Sequence, residues 1–365
     1  MAEQLVDRFG RVHRDLRISL TDRCSLRCTY CMPAEGVPWL ARSTMLTTEE
    51  IVHVARVGVE LGIEEIRLTG GEPLLRVDIV DVVRRLTALT GPSGGSPEVS
   101  LTTNALRLPG LASDLKDAGL SRVNISLDTL DRAKFLGLTR RDKLVETLAG
   151  IAAADAAGLH PIKINAVAMR GVNDDEVVAL TRFAVERGYQ MRFIEQMPLD
   201  AGHTWDRAEM VTQAEILARL TAEFELTEVP GRGAAPAELW TVDGGPATVG
   251  VIASVTAPFC GACDRLRLTA DGQLRACLFS QTETNVRDLL RGSSDAPDAA
   301  AIGIGPGQAV RIGTDAPARS APVAVDVDAA LADAYRRCLA GKKAGHDIDD
   351  PAFLQPDRPM SAIGG

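Results

Sequence analysis

Six of the chain's seven cysteines fall into two sets of three, and incomplete sets of thiols have a particular chemistry. Cys24, Cys28 and Cys31 lie in TDRCSLRCTYCMP at Cys-x3-Cys-x2-Cys spacing. Cys260, Cys263 and Cys277 lie in SVTAPFCGACDRLRLTADGQLRACLF, the last of them after a predicted hairpin. Three thiolates on one short loop can hold three irons of a cubane cluster, which ordinarily takes four cysteines. The missing fourth ligand leaves one iron with an open position, and a metal with an open position can bind a substrate. Zinc completed by a remote His or Cys is the alternative, although His13, His53, His160, His203 and His346 are scattered and none is near the first set. Cys338 stands alone on a helical stretch and reads as a small core or surface residue.

Elements around these sets must position them. Over the first 200 residues, short apolar segments at 16–20, 65–69, 99–102, 123–127, 162–167 and 191–195 read as strands. Between them, 49–61, 79–89, 143–157 and 174–187 read as amphipathic helices, the first opened by a Thr47–Glu50 capping box. Such alternation predicts parallel strands joined by right-handed crossovers. Six units predict an α/β fold, an incomplete (β/α)6 TIM-like barrel with its active site at the carboxyl ends of the strands. The first cysteine loop directly follows the first strand. LTGGEPLLR, at 68–76, follows the second, and Gly70 and Gly71 allow backbone to approach a ligand closely. Beyond Gly202 the rhythm breaks: 205–224 reads as helix and 239–268 as short antiparallel strands with Gly-Gly and Asp-Gly turns. The expected division is a partial barrel over 1–200 and a C-terminal region over 201–365 that carries the second cysteine set. Within the latter, 292–323 is rich in Gly, Ala, Pro and Ser and reads as a flexible surface insertion. Its GIGPG lacks the strand-then-helix context of a dinucleotide loop.

Composition narrows the class. With 365 residues, 45% of them hydrophobic and 24% charged, the chain can bury a full core as one large or two modest domains. A net charge of −9 argues against broad nucleic-acid or anionic-membrane binding while leaving room for a local basic pocket. MAEQLVDRFG lacks the basic start and apolar stretch of a signal peptide, and no apolar run is long enough to span a bilayer. A soluble cytoplasmic enzyme, with cysteines used for metal rather than disulfides, is expected.

The spacing of the first cysteine set, with Tyr30 before its last member and Gly-Gly-Glu-Pro after the second strand, resembles the radical S-adenosylmethionine (SAM) signature. That resemblance implies that the open iron chelates SAM and that one electron from the cluster releases a 5′-deoxyadenosyl radical. Together with the second set and the Arg-Leu-Arg run at 265–267, the chain from about Asp15 to Phe279, and again at Ile363-Gly364-Gly365, resembles the cyclases that rearrange GTP in molybdenum-cofactor biosynthesis. This implies two [4Fe–4S] clusters, one on Cys24, Cys28 and Cys31 and one on Cys260, Cys263 and Cys277. It implies SAM and GTP as ligands and 3′,8-cyclo-7,8-dihydro-GTP as product, formed after hydrogen abstraction from carbon 3 of the ribose. It implies delivery of that product to cyclic pyranopterin monophosphate synthase, and a homodimer. Residue by residue, it implies GTP contacts at Arg17, Arg67, Thr102, Lys163, Arg265, Leu266 and Arg267, with Arg192 beside them, and SAM contacts at Tyr30, Gly71, Ser126 and Met197. Gly364 and Gly365 are implied to thread into the barrel and support radical formation. Some members carry lysine where this chain has Glu65, so no contact is carried over there.

Elementary electrostatics agrees. A triphosphate brings about four negative charges that must be met in a site drier than water. No Gly-x4-Gly-Lys-Ser/Thr loop is present to meet them with backbone amides. Basic residues recurring at strand positions of one barrel, Arg17, Arg67, Lys163 and Arg192, are the natural partners. Two other readings stay open: a radical SAM enzyme that uses an auxiliary cluster to modify a peptide or RNA, and an electron-carrying iron–sulfur protein. The first predicts longer cysteine-rich extensions or a basic surface, and the second eight cysteines rather than six.

Overall fold

The computed structural model describes residues 4–292 and 326–364, so the insertion expected at 292–323 lies, apart from Gly292, outside the described residues. Twelve strands are present among the described residues: β1 (Asp15–Ser19), β2 (Glu65–Thr69), β3 (Glu98–Thr103), β4 (Arg122–Ser126), β5 (Lys163–Ala168), β6 (Gln190–Glu195), β7 (Leu226–Val229), β8 (Glu238–Val242), β9 (Thr248–Ile252), β10 (Arg265–Leu268), β11 (Gln273–Arg275) and β12 (Thr284–Asn285). The helices are α1 (Thr48–Glu60), α2 (Ile79–Thr87), α3 (Ala112–Asp117), α4 (Arg132–Thr139), α5 (Leu144–Ala156), α6 (Val177–Val185), α7 (Gln213–Thr221), α8 (Arg287–Arg291), α9 (Val327–Ala340) and α10 (Met360–Ile363). All strands join one sheet in the order β12-β11-β10-β1-β2-β3-β4-β5-β6-β9-β8-β7. β1 to β6 lie side by side in chain order and pair in parallel, as strict strand–helix alternation requires. The sheet core is thus that of an α/β partial barrel with a C-terminal extension.

The segment 239–268 departs from its antiparallel expectation. β8 and β9 do form an antiparallel hairpin, but β9 lies parallel to β6 and β10 parallel to β1. β1 and β6 are the outer strands of the six-strand set, and each presents a row of unpaired backbone groups. The later chain covers both edges, and Gly-rich turns report only the local hairpins. The helix expected over 205–224 is also shorter. A single 3-10 turn at Arg207–Glu209 precedes α7, whose start is set by a capping box between Thr212 and Glu215. Likewise 174–187 opens as a 3-10 turn at Asp174–Glu176 before α6. The Thr47–Glu50 box opens α1 as expected.

Strand alternation decides what the interior contains. Leu16, Ile18, Ile66, Leu68, Val99, Leu101, Val123, Ile125, Ile164, Ala166, Met191 and Phe193 all bury in one core with helix residues such as Ile51, Val54, Val82 and Val83. The alternate positions, Arg17, Arg67, Thr102, Asn124, Asn165 and Arg192, line an internal cavity instead. A closed barrel of this kind fills its inside with branched apolar side chains. This one lines its inside with amides and guanidinium groups, which suits a polar ligand. Cys338, on α9, belongs to the outer core.

Candidate active site

The first cysteine loop leaves the carboxyl end of β1 and is held from two sides. On one side the N–H groups of Arg27 and Thr29 donate to the carbonyls of Thr139 and Leu138 at the end of α4, each at 2.9 Å. Arg27 Nη1 donates to the Cys24 carbonyl at 2.7 Å, and Arg140 Nη1 to the carbonyls of Arg27 and Met32 at 2.9 Å. On the other side the Gly71 N–H donates to the Thr21 carbonyl at 2.7 Å. A Cβ at Gly71 would sit 2.4 Å from the Arg23 carbonyl oxygen. These glycines therefore serve the close packing of two loops as well as a cavity wall. Buried Glu72 ties in β3, accepting from Asn104 N–H at 2.8 Å and Thr103 Oγ1 at 2.7 Å. Asn104 Nδ2 in turn donates to Ser25 Oγ at 3.1 Å and to Cys24 Sγ at 3.9 Å.

Between these loops lies a cavity walled by Cys24, Cys28, Cys31, Tyr30, Gly71, Ser126 and Asp128. Tyr30 Oη donates to Asp128 Oδ2 at 2.9 Å, and burial pushes the Asp128 carboxyl up to about 6. Burial likewise raises the thiols, Cys24 to about 11 and Cys31 to about 12. Such thiols ionise only beside a cation, which is the requirement a bound metal meets. Among the described residues no group of three or more His, Cys, Asp or Glu converges to hold a single ion.

A larger cavity adjoins the first, and Tyr30, Thr102 and Met360 line both. Together with the open space at its mouth it encloses about 1340 Å³ free of protein atoms. Cys260, Cys263 and Cys277 form one part of its wall, and Arg17, Arg67, Arg192, Arg265, Arg267 and Met197 others. As alternation predicts, Arg265 and Arg267 both face inward, while Leu266 buries its side chain in the core and does not line the cavity. Lys163 shares the inward face of β5 with Asn165 and Val167 but lies beyond the wall itself.

Register sets the electrostatics. Arg267, Arg17 and Arg67 stand directly opposite one another across β10, β1 and β2. Like charges so placed destabilise a sheet; two unit charges ~6 Å apart at an effective dielectric of about 20 repel by about 3 kcal/mol. Asp15 offsets part of this, 3.8 Å from Arg17 and 3.5 Å from Arg265. Burial, and then Arg67, hold Arg17 well below the usual guanidinium range. Burial first and neighbouring arginines next bring Arg192 to about 9, and burial brings Arg267 to about 10. Burial and then Arg192 lower Lys163 to about 7. Glu65, where lysine occurs in some relatives, sits 3.9 Å from Arg67 and 3.2 Å from Arg122. Arg17 Nε, Arg265 Nε, Asn124 Oδ1 and Asn165 Oδ1 are buried without hydrogen-bond partners, each a cost that a ligand can relieve. The interior asks for a polyanion with further polar groups.

The end of the chain enters the same space. α10 is anchored by fully buried Ile363 and by the Met360 N–H, which donates to the Leu199 carbonyl at 3.1 Å. Gly364 has φ +84°, and a Cβ there would lie 2.3 Å from Thr69 Oγ1 and 3.2 Å from Ser19 Cβ. Only glycine fits between the carboxyl ends of β1 and β2. Arg267 Nη1 donates to the Gly364 carbonyl. Gly365 lies outside the described residues.

Asn104, Asn124, Asp128 and Asn165 escaped the sequence reading. The inward alternation of β4 and β5 was signal enough for the two strand asparagines. Asp128 and Asn104 had only their places just past a strand end.

A family model described as the radical SAM superfamily matches residues 18–184, and one described as Molybdenum Cofactor Synthesis C matches residues 189–303. The GTP 3′,8-cyclase of Streptomyces coelicolor is 53% identical over 100% of this chain and 97% of its own length. That of Corynebacterium glutamicum is 51% identical over 99% and 89%, and GTP 3′,8-cyclase 2 of Mycobacterium tuberculosis 49% identical over 99% and 92%. Among solved structures, Streptococcus suis SuiB superimposes with a TM-score of 0.55 at 16% identity, covering 79% of this chain and 68% of that one, a likeness of fold alone. A parallel partial barrel with a three-cysteine loop at its carboxyl edge defines a radical SAM enzyme. About half of this chain's residues, over 99–100% of its length, are identical to those of the cyclases above, and the chain belongs to the GTP 3′,8-cyclase family.

Proposed function

We propose that the two joined cavities divide the cyclisation of GTP between them, SAM in the smaller and GTP in the larger. The reaction is the family's, the first step of molybdenum-cofactor biosynthesis, and its cofactors are SAM and two [4Fe–4S] clusters. Cys24, Cys28 and Cys31 hold the first cluster; Cys260, Cys263 and Cys277 hold the second. When bound, SAM and the two clusters would supply the electron and the radical chemistry of the cyclisation. The chain's own residues bind, orient and exclude water. Tyr30, Gly71 and Ser126 keep SAM beside the first triad, and Met197 meets it from the wall of the larger cavity. Arg17, Arg67, Lys163, Arg192, Arg265 and Arg267 meet the triphosphate, with Thr102 and the Leu266 backbone completing the contacts. Gly364 and Gly365, at the end of the tail that follows Met360, support radical formation. Ile194, Leu199 and Phe259 line the larger cavity with apolar surface and keep a reactive radical from water.

The observation that carries this reading is the in-register row of three inward arginines beside a second cysteine triad. A peptide substrate would not need so much cationic charge, and an RNA strand would meet it along an open surface rather than inside a sheet. The barrel unit at 1–200 and the region at 201–365 then contribute one triad each. We further propose a cytoplasmic homodimer that passes its product to cyclic pyranopterin monophosphate synthase; among the described residues no helix is long and apolar enough to cross a membrane.

The test is anaerobic turnover of GTP with SAM and a reductant, following 5′-deoxyadenosine and cyclised nucleotide separately. Replacing Cys24, Cys28 or Cys31 by alanine should abolish SAM cleavage. Cys263→Ala should spare much of the cleavage while disrupting cyclisation. Normal cyclisation in the Cys263 variant would mean that the second triad is no substrate site.

A further inference from the structure

Lys342 stands beside the second triad, and neither nucleotide binding nor thiol ligation explains it. It follows α9 directly, and its backbone N–H donates to the Leu339 carbonyl at 2.9 Å. Its side chain is buried, at 3% exposure. The ammonium donates to the Arg265 carbonyl at 2.7 Å and to Cys263 Sγ at 3.6 Å. An ammonium removed from water needs a negative partner, because desolvating an unpaired charge costs several kcal/mol. The ion pairs among the described residues give it no carboxylate within 4.0 Å. The thiolate sulfur of Cys263 is the anionic group within its reach.

The surrounding structure holds this ammonium in place. α9 is fixed to α1 by Tyr335 Oη, which donates to the Val54 carbonyl at 3.0 Å. From the other side Arg11, itself held by Asp7 at 2.6 Å, donates to the Cys260 carbonyl at 2.6 Å and to the Lys343 carbonyl at 2.7 Å. The segment carrying Lys342 and the turn carrying Cys260 and Cys263 are thereby stapled together. Lys342 approaches Cys263 from the α9 side, whereas Arg265, 3.8 Å from the same sulfur, faces the cavity. Arg265 lines the cavity and is open to a ligand there, whereas Lys342 does not line it and meets the sulfur from outside.

We propose that Lys342 is a positioning residue for the second cluster, a fixed positive charge and N–H···S donor to Cys263 that raises the cluster's reduction potential. Hydrogen bonds to ligand sulfurs and local net charge are the terms by which a protein tunes such potentials. The inference rests on the reading of Cys260, Cys263 and Cys277 as cluster ligands, so iron is counted first. Wild-type protein reconstituted anaerobically should hold about eight irons; four would end the two-cluster reading and this proposal with it.

The experiment is a redox titration of Lys342→Met followed by electron paramagnetic resonance, with the first cluster as internal control. At a fixed potential near the wild-type midpoint, the ratio of reduced to oxidised second cluster should fall at least tenfold, about 59 mV for a one-electron couple. The first cluster's midpoint should stay put, and Lys342→Arg should restore most of the wild-type value. If Lys342→Met fails to assemble the second cluster, assembly in Lys342→Arg still supports the charge. An unshifted midpoint in an assembled Lys342→Met protein, or loss of the cluster in both variants, overturns the proposal.

Discussion

A guanidinium buried in a protein ordinarily answers to a carboxylate or a phosphate. Among the described residues Arg17 has only Asp15 within ion-pair distance, at 3.8 Å, and Asp15 is shared with Arg265. Arg17 is therefore held for a ligand more than for the fold, and Arg17→Ala should remove repulsion from the empty cavity while weakening GTP. Losing one charge-assisted contact costs on the order of 2 kcal/mol, roughly a thirtyfold rise in the GTP dissociation constant. SAM binding should be nearly unchanged, because Arg17 does not line the smaller cavity. Arg267→Ala should weaken GTP similarly and also loosen the tail, since Arg267 donates to the Gly364 carbonyl. Equal losses for both ligands in equilibrium binding would indicate misfolding instead. At this scale the sequence was most informative where motif and spacing coincide, as for the two triads and the Arg-Leu-Arg run. It was silent on Lys342, whose meaning depends on a sulfur 79 residues away.

At the scale of elements, the six parallel strands and the capped α1 were readable because period-2 alternation and a capping box are local signals. The covering of the sheet's two edges by β9 and β10 was not. Nothing within 239–268 encodes which distant strand each will meet. The tail combines both kinds of signal. Two terminal glycines read alone as a frayed end, yet Gly364 occupies a gap in which a single methyl would strike Thr69 Oγ1 at 2.3 Å. Deleting Gly364 and Gly365 should strongly reduce turnover while leaving folding and both clusters intact, and Gly364→Ala should act in the same direction by forcing the tail out. A synthetic peptide ending Ile-Gly-Gly should restore part of the activity, since the tail is anchored by Ile363 and Met360 rather than by a sheet ladder. Full turnover by the truncated protein in the same assay would return the tail to an ordinary frayed end.

The whole molecule separates its charges. The chain carries a net −9, yet the interior of its sheet gathers Arg17, Arg67, Arg192, Arg265 and Arg267 with Lys163 behind them. Acidic groups outside favour solubility, and a cationic interior with low-dielectric walls focuses the field on an entering polyanion. This arrangement has a proton cost that can be measured. Burial, then Arg192, Arg122 and Arg67, hold the free Lys163 ammonium at about 7 against an ordinary 10.5. A triphosphate contributes the opposite sign and raises it. Above pH 7, the complex therefore binds a proton that the free protein has shed, and by linkage GTP affinity falls as pH rises through this window, by at most tenfold per unit for one group. Below about pH 6 Lys163 is charged in both states and contributes no slope. Between pH 7.5 and 8.5, GTP binding followed by calorimetry in two buffers of different ionisation heat should show net proton uptake. Lys163→Met should abolish most of that uptake and weaken binding at pH 7. Lys163→Arg, charged throughout, should bind GTP with little uptake and a flatter pH profile. Undiminished proton uptake in Lys163→Met would assign the titration to another group and remove Lys163 from the triphosphate's partners.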